Sequence, residues 1–232
     1  MTLLPRPALA LLALLALALP ILTLQALAAR PAAALETEAT TAILVDGDSG
    51  AVLFEKNADL RIPPASMTKL MTAYLIFERL KDKRLTLDDR LTVSEKAWRM
   101  EGSKMWIEVG EQVRVEDLLR GLIIQSGNDA AVAFAEALSG SEQAFAEEMN
   151  RKAAEIGLTD SNFANASGWP SPGQYMTARG LATLGLRLIH DFPEYYHFYS
   201  ETEFTWANIK QPNRNPLLYR NIGADGLKTG HT

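Results

Sequence analysis

The chain predicts a mixed α/β (α+β) fold, in which an antiparallel sheet is assembled from N- and C-terminal segments and a helical subdomain is inserted between them. Three observations predict it: two short apolar runs bracket a turn between residues 43 and 54, apolar residues recur at helical spacing through the middle, and short strand-like runs return at 203–206 and 226–230.

Taken in order, Ile43-Leu44-Val45 and Ala51-Val52-Leu53-Phe54 flank Asp46-Gly47-Asp48-Ser49-Gly50, whose turn-forming residues make a β-hairpin. Over 66–80, Met67, Leu70, Met71, Tyr74, Phe77 and Leu80 recur at spacings of three and four, the pattern of an amphipathic helix. Pro63-Pro64 precedes it and has no place in its interior. Residues 115–125 and 130–138 read as two helices parted by a small polar break, and 142–156 as a third, with Phe145, Met149 and Ile156 on its apolar side. Residues 162–174, rich in Gly, Pro, Asn and Ser, read as a loop, and 177–189 as another helix before the closing strands.

Of 232 residues, 47% are hydrophobic and 22% charged, an ordinary composition for one globular domain. The absence of cysteine excludes disulfide scaffolds, cysteine nucleophiles, thiolate zinc sites and iron–sulfur clusters. A formal charge of −5 argues against an electrostatic grip on nucleic acid. Residues 8–29 carry no charge, follow Arg6 and contain Ala26-Leu27-Ala28, a small-x-small pattern that signal peptidases cleave. Residues 1–28 are therefore expected to be a secretory signal and 29–232 the domain, exported to the periplasm or the outer face of the cytoplasmic membrane. An uncleaved membrane anchor is the alternative reading of the same run.

Three serines invite a catalytic reading. Gly47-Asp48-Ser49-Gly50 suggests a chymotrypsin-type nucleophile, but that chemistry needs a histidine base, and the first of three histidines is His190. A turn residue is the better assignment for Ser49. No nucleophile elbow and no i, i+4 histidine pair is present, so hydrolysis by histidine or metal has no support. Ser66-Met67-Thr68-Lys69 differs, because three residues at a helix start put hydroxyl and amine on one face. Ser66 as a mere cap is the plainer reading, yet a capping box wants Glu or Gln where Lys69 stands, against the positive end of the helix dipole. That position and burial both favour a neutral amine, a competent base for a serine. Ser126-Gly127-Asn128 offers a hydroxyl for proton relay and a carboxamide for a peptide backbone, and Lys228-Thr229-Gly230 places a cation beside a glycine that permits close approach. Each pattern alone is weak; the ordered triple is specific.

That triple resembles the penicillin-recognising serine acyl-transferases, the superfamily of penicillin-binding proteins and serine β-lactamases. The stretches 57–69, 122–130, Asn213-Arg214-Asn215 and 225–232 look more narrowly like the low-molecular-mass D-alanyl-D-alanine carboxypeptidases. The resemblance implies a β-lactamase/transpeptidase-like fold, with Ser66 as acylated nucleophile, Lys69 as its base and Ser126 as relay to the leaving D-alanine. It implies that Asn128 holds the substrate amide, Lys228, Thr229 and Gly230 meet its carboxylate end, and the backbone amides of Ser66 and His231 form the oxyanion hole. Arg214 is a second candidate for the carboxylate, a surface charge the competing reading. Met105, Trp106 and Trp169 are assigned to packing. The implied partners are peptidoglycan pentapeptides ending in D-Ala-D-Ala and β-lactam inhibitors, with no cofactor and no metal.

Two alternatives stand beside this reading. A class A-like β-lactamase needs Glu-x-x-x-Asn after its second motif, whereas Ala146-Glu147-Glu148-Met149-Asn150 has alanine there, and Gly127 stands where those enzymes carry Asp. A catalytically impaired cell-wall binding relative or fragment is the other. The family's further strands, and a C-terminal anchor through which it meets the membrane, are not found before Thr232. Poor activity is expected of the 232-residue chain alone.

Overall fold

The computed structural model describes residues 35–231; the expected signal at 1–28 lies outside them. The chain divides after Glu38, and every described element falls within Ala39–Thr232.

Strands β1 (Ala42–Val45) and β2 (Val52–Lys56) form the expected antiparallel hairpin. In its turn the Ser49 amide donates to Asp46 Oδ1 over 2.8 Å and the Ser49 hydroxyl donates to the same carboxylate. Ser49 is thus a turn residue in an exposed loop, as its surroundings in sequence suggest.

The first long helix does not begin at Ser66. Pro63-Pro64 is followed by Ala65 in a left-handed backbone (φ 48°), one 3-10 turn covers Ala65–Thr68, and helix α1 runs from Lys69 to Lys81. It is buried on nearly every side, from Leu70 through Leu80, and forms the axis of the domain. Two three-residue strands, β3 (Arg90–Thr92) and β4 (Gln112–Arg114), pair beyond it, with the short helix α2 (Glu95–Arg99) between them. Ser94 caps α2 by accepting from the Ala97 amide. Helices α3 (Val115–Ile123), α4 (Asn128–Ser139), α5 (Glu142–Glu155) and α6 (Ala178–Asp191) follow, close to their expected bounds. Helix α1 packs on α3, α4 and α6, α4 packs on α5, and α6 covers β1. Phe77 of α1 sits among Phe192, Tyr195, Phe198 and Tyr199, the densest aromatic cluster described.

The mixed class and the antiparallel pairing are as expected, but one sheet spanning both ends does not form. Strands β5 (Glu203–Trp206) and β6 (Ile209–Pro212) make a hairpin of their own, and among the described residues no ladder joins it to β1 and β2. Residues 226–230, expected as a strand, form no strand. Their backbone is held otherwise: Asn215 Nδ2 donates to the Gly226 carbonyl, and Gly230 packs against Pro64 and Met67 beside the 3-10 turn. No helix among the described residues is long and apolar enough to cross a membrane.

Candidate active site

The 3-10 turn and the first residue of α1 bring Ser66 and Lys69 together. Lys69 Nζ lies 3.1 Å from Ser66 Oγ, 2.7 Å from Asn128 Oδ1 and within hydrogen-bond distance of the Ser167 carbonyl. The lysine is 1% exposed. Burial, then the nearby Lys228 ammonium and Arg214 guanidinium, hold it well below the ordinary lysine range, while the Asp129 carboxylate acts the other way. Its three partners fit an ammonium's three donors. Once the amine is neutral, two N–H groups suffice for Asn128 and Ser167, and the remaining lone pair faces Ser66. The two fixed acceptors therefore aim the basic electron pair at the nucleophile.

The break between α3 and α4 supplies the second motif. Ser126 is buried at φ 62°, a conformation that costs a non-glycine residue about 1–3 kcal/mol. The turn is fixed by the Gly127 amide donating to the Gly121 carbonyl over 2.8 Å and the Asn128 amide to the Ser103 carbonyl over 2.7 Å. A side chain at Gly127 has no room, since its Cβ would lie 2.7 Å from Asp129 Oδ1. Asn128, expected to hold substrate, has both ends of its carboxamide engaged: Oδ1 accepts from Lys69, and Nδ2 donates to the Glu101 carbonyl over 2.7 Å.

The third motif arrives from residues 226–231. Lys228 Nζ donates to Ser126 Oγ over 2.9 Å and to the Thr229 carbonyl over 3.0 Å. The side chain is half-buried with its ammonium turned inward. Burial, followed by the charge of Arg214, brings it down to about 7. Serine and lysine thus recur as a pair on each side of the site, Ser66 with Lys69 and Ser126 with Lys228.

A cleft of about 540 Å³ opens over these groups. Ser66, Ser126, Asn128, Thr229, Gly230 and His231 line it, so six of the eight expected site residues meet there. Lys69 lies beneath Ser66, and Lys228 is reached through Ser126.

Several contributors were missed or passed over in the sequence. Arg214 lines the cleft and donates to the Ser103 hydroxyl. Trp169, assigned to packing, is 42% exposed and forms part of the wall, whereas Met105 is core as expected. Trp106 is exposed and does not line the cleft. The loop 165–169 is built by the Asn165 carboxamide, which accepts from the Ser167 and Gly168 amides and donates to the Trp169 carbonyl. Gly168, at φ 82°, approaches so closely that its Cβ would lie 1.9 Å from the Ala65 carbonyl oxygen. The glycine lets this loop press on the nucleophile turn, which is how Ser167 reaches Lys69. A backbone carbonyl has no signature in sequence; the one available signal was the Asn-Ala-Ser-Gly run in a loop. Asn150, the asparagine of the lactamase-like spacing, is committed to both the amide and the carbonyl of Phe163, and Ala146 is buried beside it.

Residues 27–232 match the family model described as D-alanyl-D-alanine carboxypeptidase. Among curated proteins the chain is 47% identical over 197 residues to D-alanyl-D-alanine carboxypeptidase DacC of Escherichia coli K12, an alignment covering 82% of this chain and 49% of that one. It is 46% identical over 198 residues to DacA of Haemophilus influenzae, covering 84% and 50%. Among solved structures, DacD from Francisella tularensis superposes with a TM-score of 0.86 at 33% identity, covering 88% of this chain and 62% of that one. Penicillin binding protein 5 from Haemophilus influenzae gives 0.84 at 44% identity, covering 87% and 60%. Penicillin-Binding Protein D2 from Listeria monocytogenes, in its ampicillin-bound form, gives 0.76 at 32% identity, covering 88% and 82%. The chain spans about half the length of the curated relatives it matches.

Proposed function

Since the chain belongs to the D-alanyl-D-alanine carboxypeptidase family, we propose that it is a serine-type carboxypeptidase that removes the terminal D-alanine from peptidoglycan stem peptides and is acylated by β-lactams. The observation that carries this reading is the buried Lys69 amine, 3.1 Å from Ser66 Oγ with its other hydrogen bonds taken by Asn128 and Ser167.

In the proposed reaction the Lys69 lone pair takes the Ser66 proton as Oγ attacks the carbonyl of the D-Ala-D-Ala amide. The tetrahedral oxyanion is received by the backbone amides of Ser66 and His231. The C–N bond breaks as a proton reaches the leaving amine through Ser126, which its hydrogen bond to Lys228 supports. Water then hydrolyses the ester on Ser66. Lys228 and Thr229, with Arg214 beside them, attract the substrate's free carboxylate. The substrate places the work outside the cytoplasm, in keeping with the exported reading of residues 1–28.

The lactamase alternative lacks its carboxylate, since Ala146 stands at that position and Asn150 is spent on Phe163. A β-lactam adduct is therefore expected to be long-lived. The test is to incubate the chain with a penicillin, take its intact mass, and map the modified peptide. The expected result is one adduct on the Ser66 peptide that is absent from Ser66→Ala, together with D-alanine release from a pentapeptide that the same substitution abolishes. An adduct elsewhere, or release that survives Ser66→Ala, overturns the assignment.

A further inference from the structure

Asp129 is a fully buried carboxylate, 0% exposed, to which the proposed reaction gives no part. Among the described residues no Lys, Arg or His lies within ion-pair distance of it. A buried charge without a counter-ion costs several kcal/mol unless its lone pairs are satisfied. Here backbone amides satisfy them. Met105 N donates to both oxygens, at 3.0 and 3.1 Å, Trp106 N donates over 2.9 Å, and the Asp129 carboxylate also accepts from Ala130 N at 2.9 Å.

Met105 and Trp106 end the segment that contributes Gly102 and Ser103 to the cleft. The segment has no regular structure, and Trp106 is held at φ 71°, a conformation an indole side chain rarely takes unaided. Asn128 holds the segment at the Glu101 and Ser103 carbonyls, and Gln211 Nε2 donates to the Met105 carbonyl over 3.2 Å. The space for the carboxylate exists because residue 127 is glycine. Of the charges acting on Lys69, Lys228 and Arg214 oppose its proton, and Asp129 alone favours it.

We propose that Asp129 is a positioning residue for acylation, docking the 101–106 wall onto the start of α4, where the adjacent Asn128 accepts from Lys69. The proposal rests on the acyl-enzyme reading above. Two adjacent residues of α4 then serve one purpose from opposite directions: Asn128 holds the base, and Asp129 holds the wall across from it.

The experiment measures the second-order rate of acylation by a fluorescent penicillin as a function of pH, in the full chain and in Asp129→Asn. Acylation requires neutral Lys69, so its rate rises with pH through the Lys69 titration. Removing the carboxylate makes the proton easier to lose and moves that limb to lower pH. The alkaline limb, set by Lys228 under burial and Arg214, stays in place. The maximal rate falls at least about tenfold, since the asparagine amide presents a donor to the Met105 and Trp106 amides. Gln211→Leu, which loosens the same segment without removing charge, lowers the rate and leaves both limbs unmoved. A folded Asp129→Asn with the wild-type rate overturns the proposal, as does a fallen rate with an unmoved acid limb, which marks a residue that only holds the fold. Should Asp129→Asn not fold, Asp129→Glu keeps the charge but adds a methylene where there is no room: a slower rate with an unmoved limb supports the proposal, and a wild-type rate overturns it. Hydrogen exchange at the Met105 and Trp106 amides reads the docking without turnover, so a wild-type chain that is never acylated counts against the function while exchange still decides the role of Asp129. Protection in the wild type that falls about tenfold or more in the variant supports the docking, and equal protection overturns it.

Discussion

A carboxylate ligand entering the cleft meets a cation at Lys228 only while that side chain keeps its proton, and burial beside Arg214 brings its titration to about 7. Its pKa is depressed, so the charge is present below that pH and lost above it. The KM for a peptide with a free C-terminal carboxylate is therefore expected to rise as pH climbs past 7, approaching tenfold per unit, while that of the corresponding peptide amide stays flat. Equal profiles for the two peptides would remove Lys228 from carboxylate binding. The two lysines were legible because a side chain three residues from a serine, or beside a glycine, leaves a mark in sequence. The groups that orient them were not: the Ser167 carbonyl is chemically like every other carbonyl, and it becomes a ligand for Lys69 only because Gly168 allows its loop to sit on Ala65. Trp169 was misassigned for a related reason, since an indole in a loop reads the same whether it fills the core or faces a cleft.

Helix α1 ties the elements together, because it carries Lys69 at one end and the aromatic anchor Phe77 further along. Phe77→Ala leaves a cavity among four rings and is expected to cost about 3–5 kcal/mol. For a domain of this size that lowers the melting temperature by roughly 10 °C. A shift of only a few degrees would show that the cluster collapses to fill the hole. Near the other end of α1, the Arg79 guanidinium donates to both oxygens of Glu148, locking α1 to α5. The long helices were readable because their apolar spacing repeats over three or four turns. Elements β3, β4 and α2 are too short to show a period at all, and β6 went unseen because Ile209-Lys210-Gln211-Pro212 has little apolar alternation. The expected strand at 226–230 failed differently: its polar backbone is bound by side chains such as Asn215 instead of by a neighbouring strand.

Over the whole molecule, the cleft is lined by residues from Ser66 to His231, drawn from six separate stretches of chain. A ligand joined to Ser66 and touching the other stretches stabilises all of them at once, because it binds the folded state alone. Acylation by a penicillin should thus raise the melting temperature of the full chain and leave Ser66→Ala unchanged; an unaltered temperature after complete acylation would mean that the adduct touches only its own segment. With no cysteine in the chain, that stability owes nothing to redox conditions.

The hydrogen bond from Lys228 to Ser126 closes a separation of 102 residues, whereas that between Lys69 and Ser66 spans three. Contacts within one turn form with their helix, and contacts across a long loop must first overcome its closure entropy. Loop closure alone therefore costs more for the second lysine–serine pair than for the first. Even the first pair depends on distant chain, because Asn128 and Ser167, which aim the Lys69 amine, lie 59 and 98 residues from it. Both pairs are thus complete only in the finished tertiary structure, so a reagent that needs either one is expected to report on folded molecules alone.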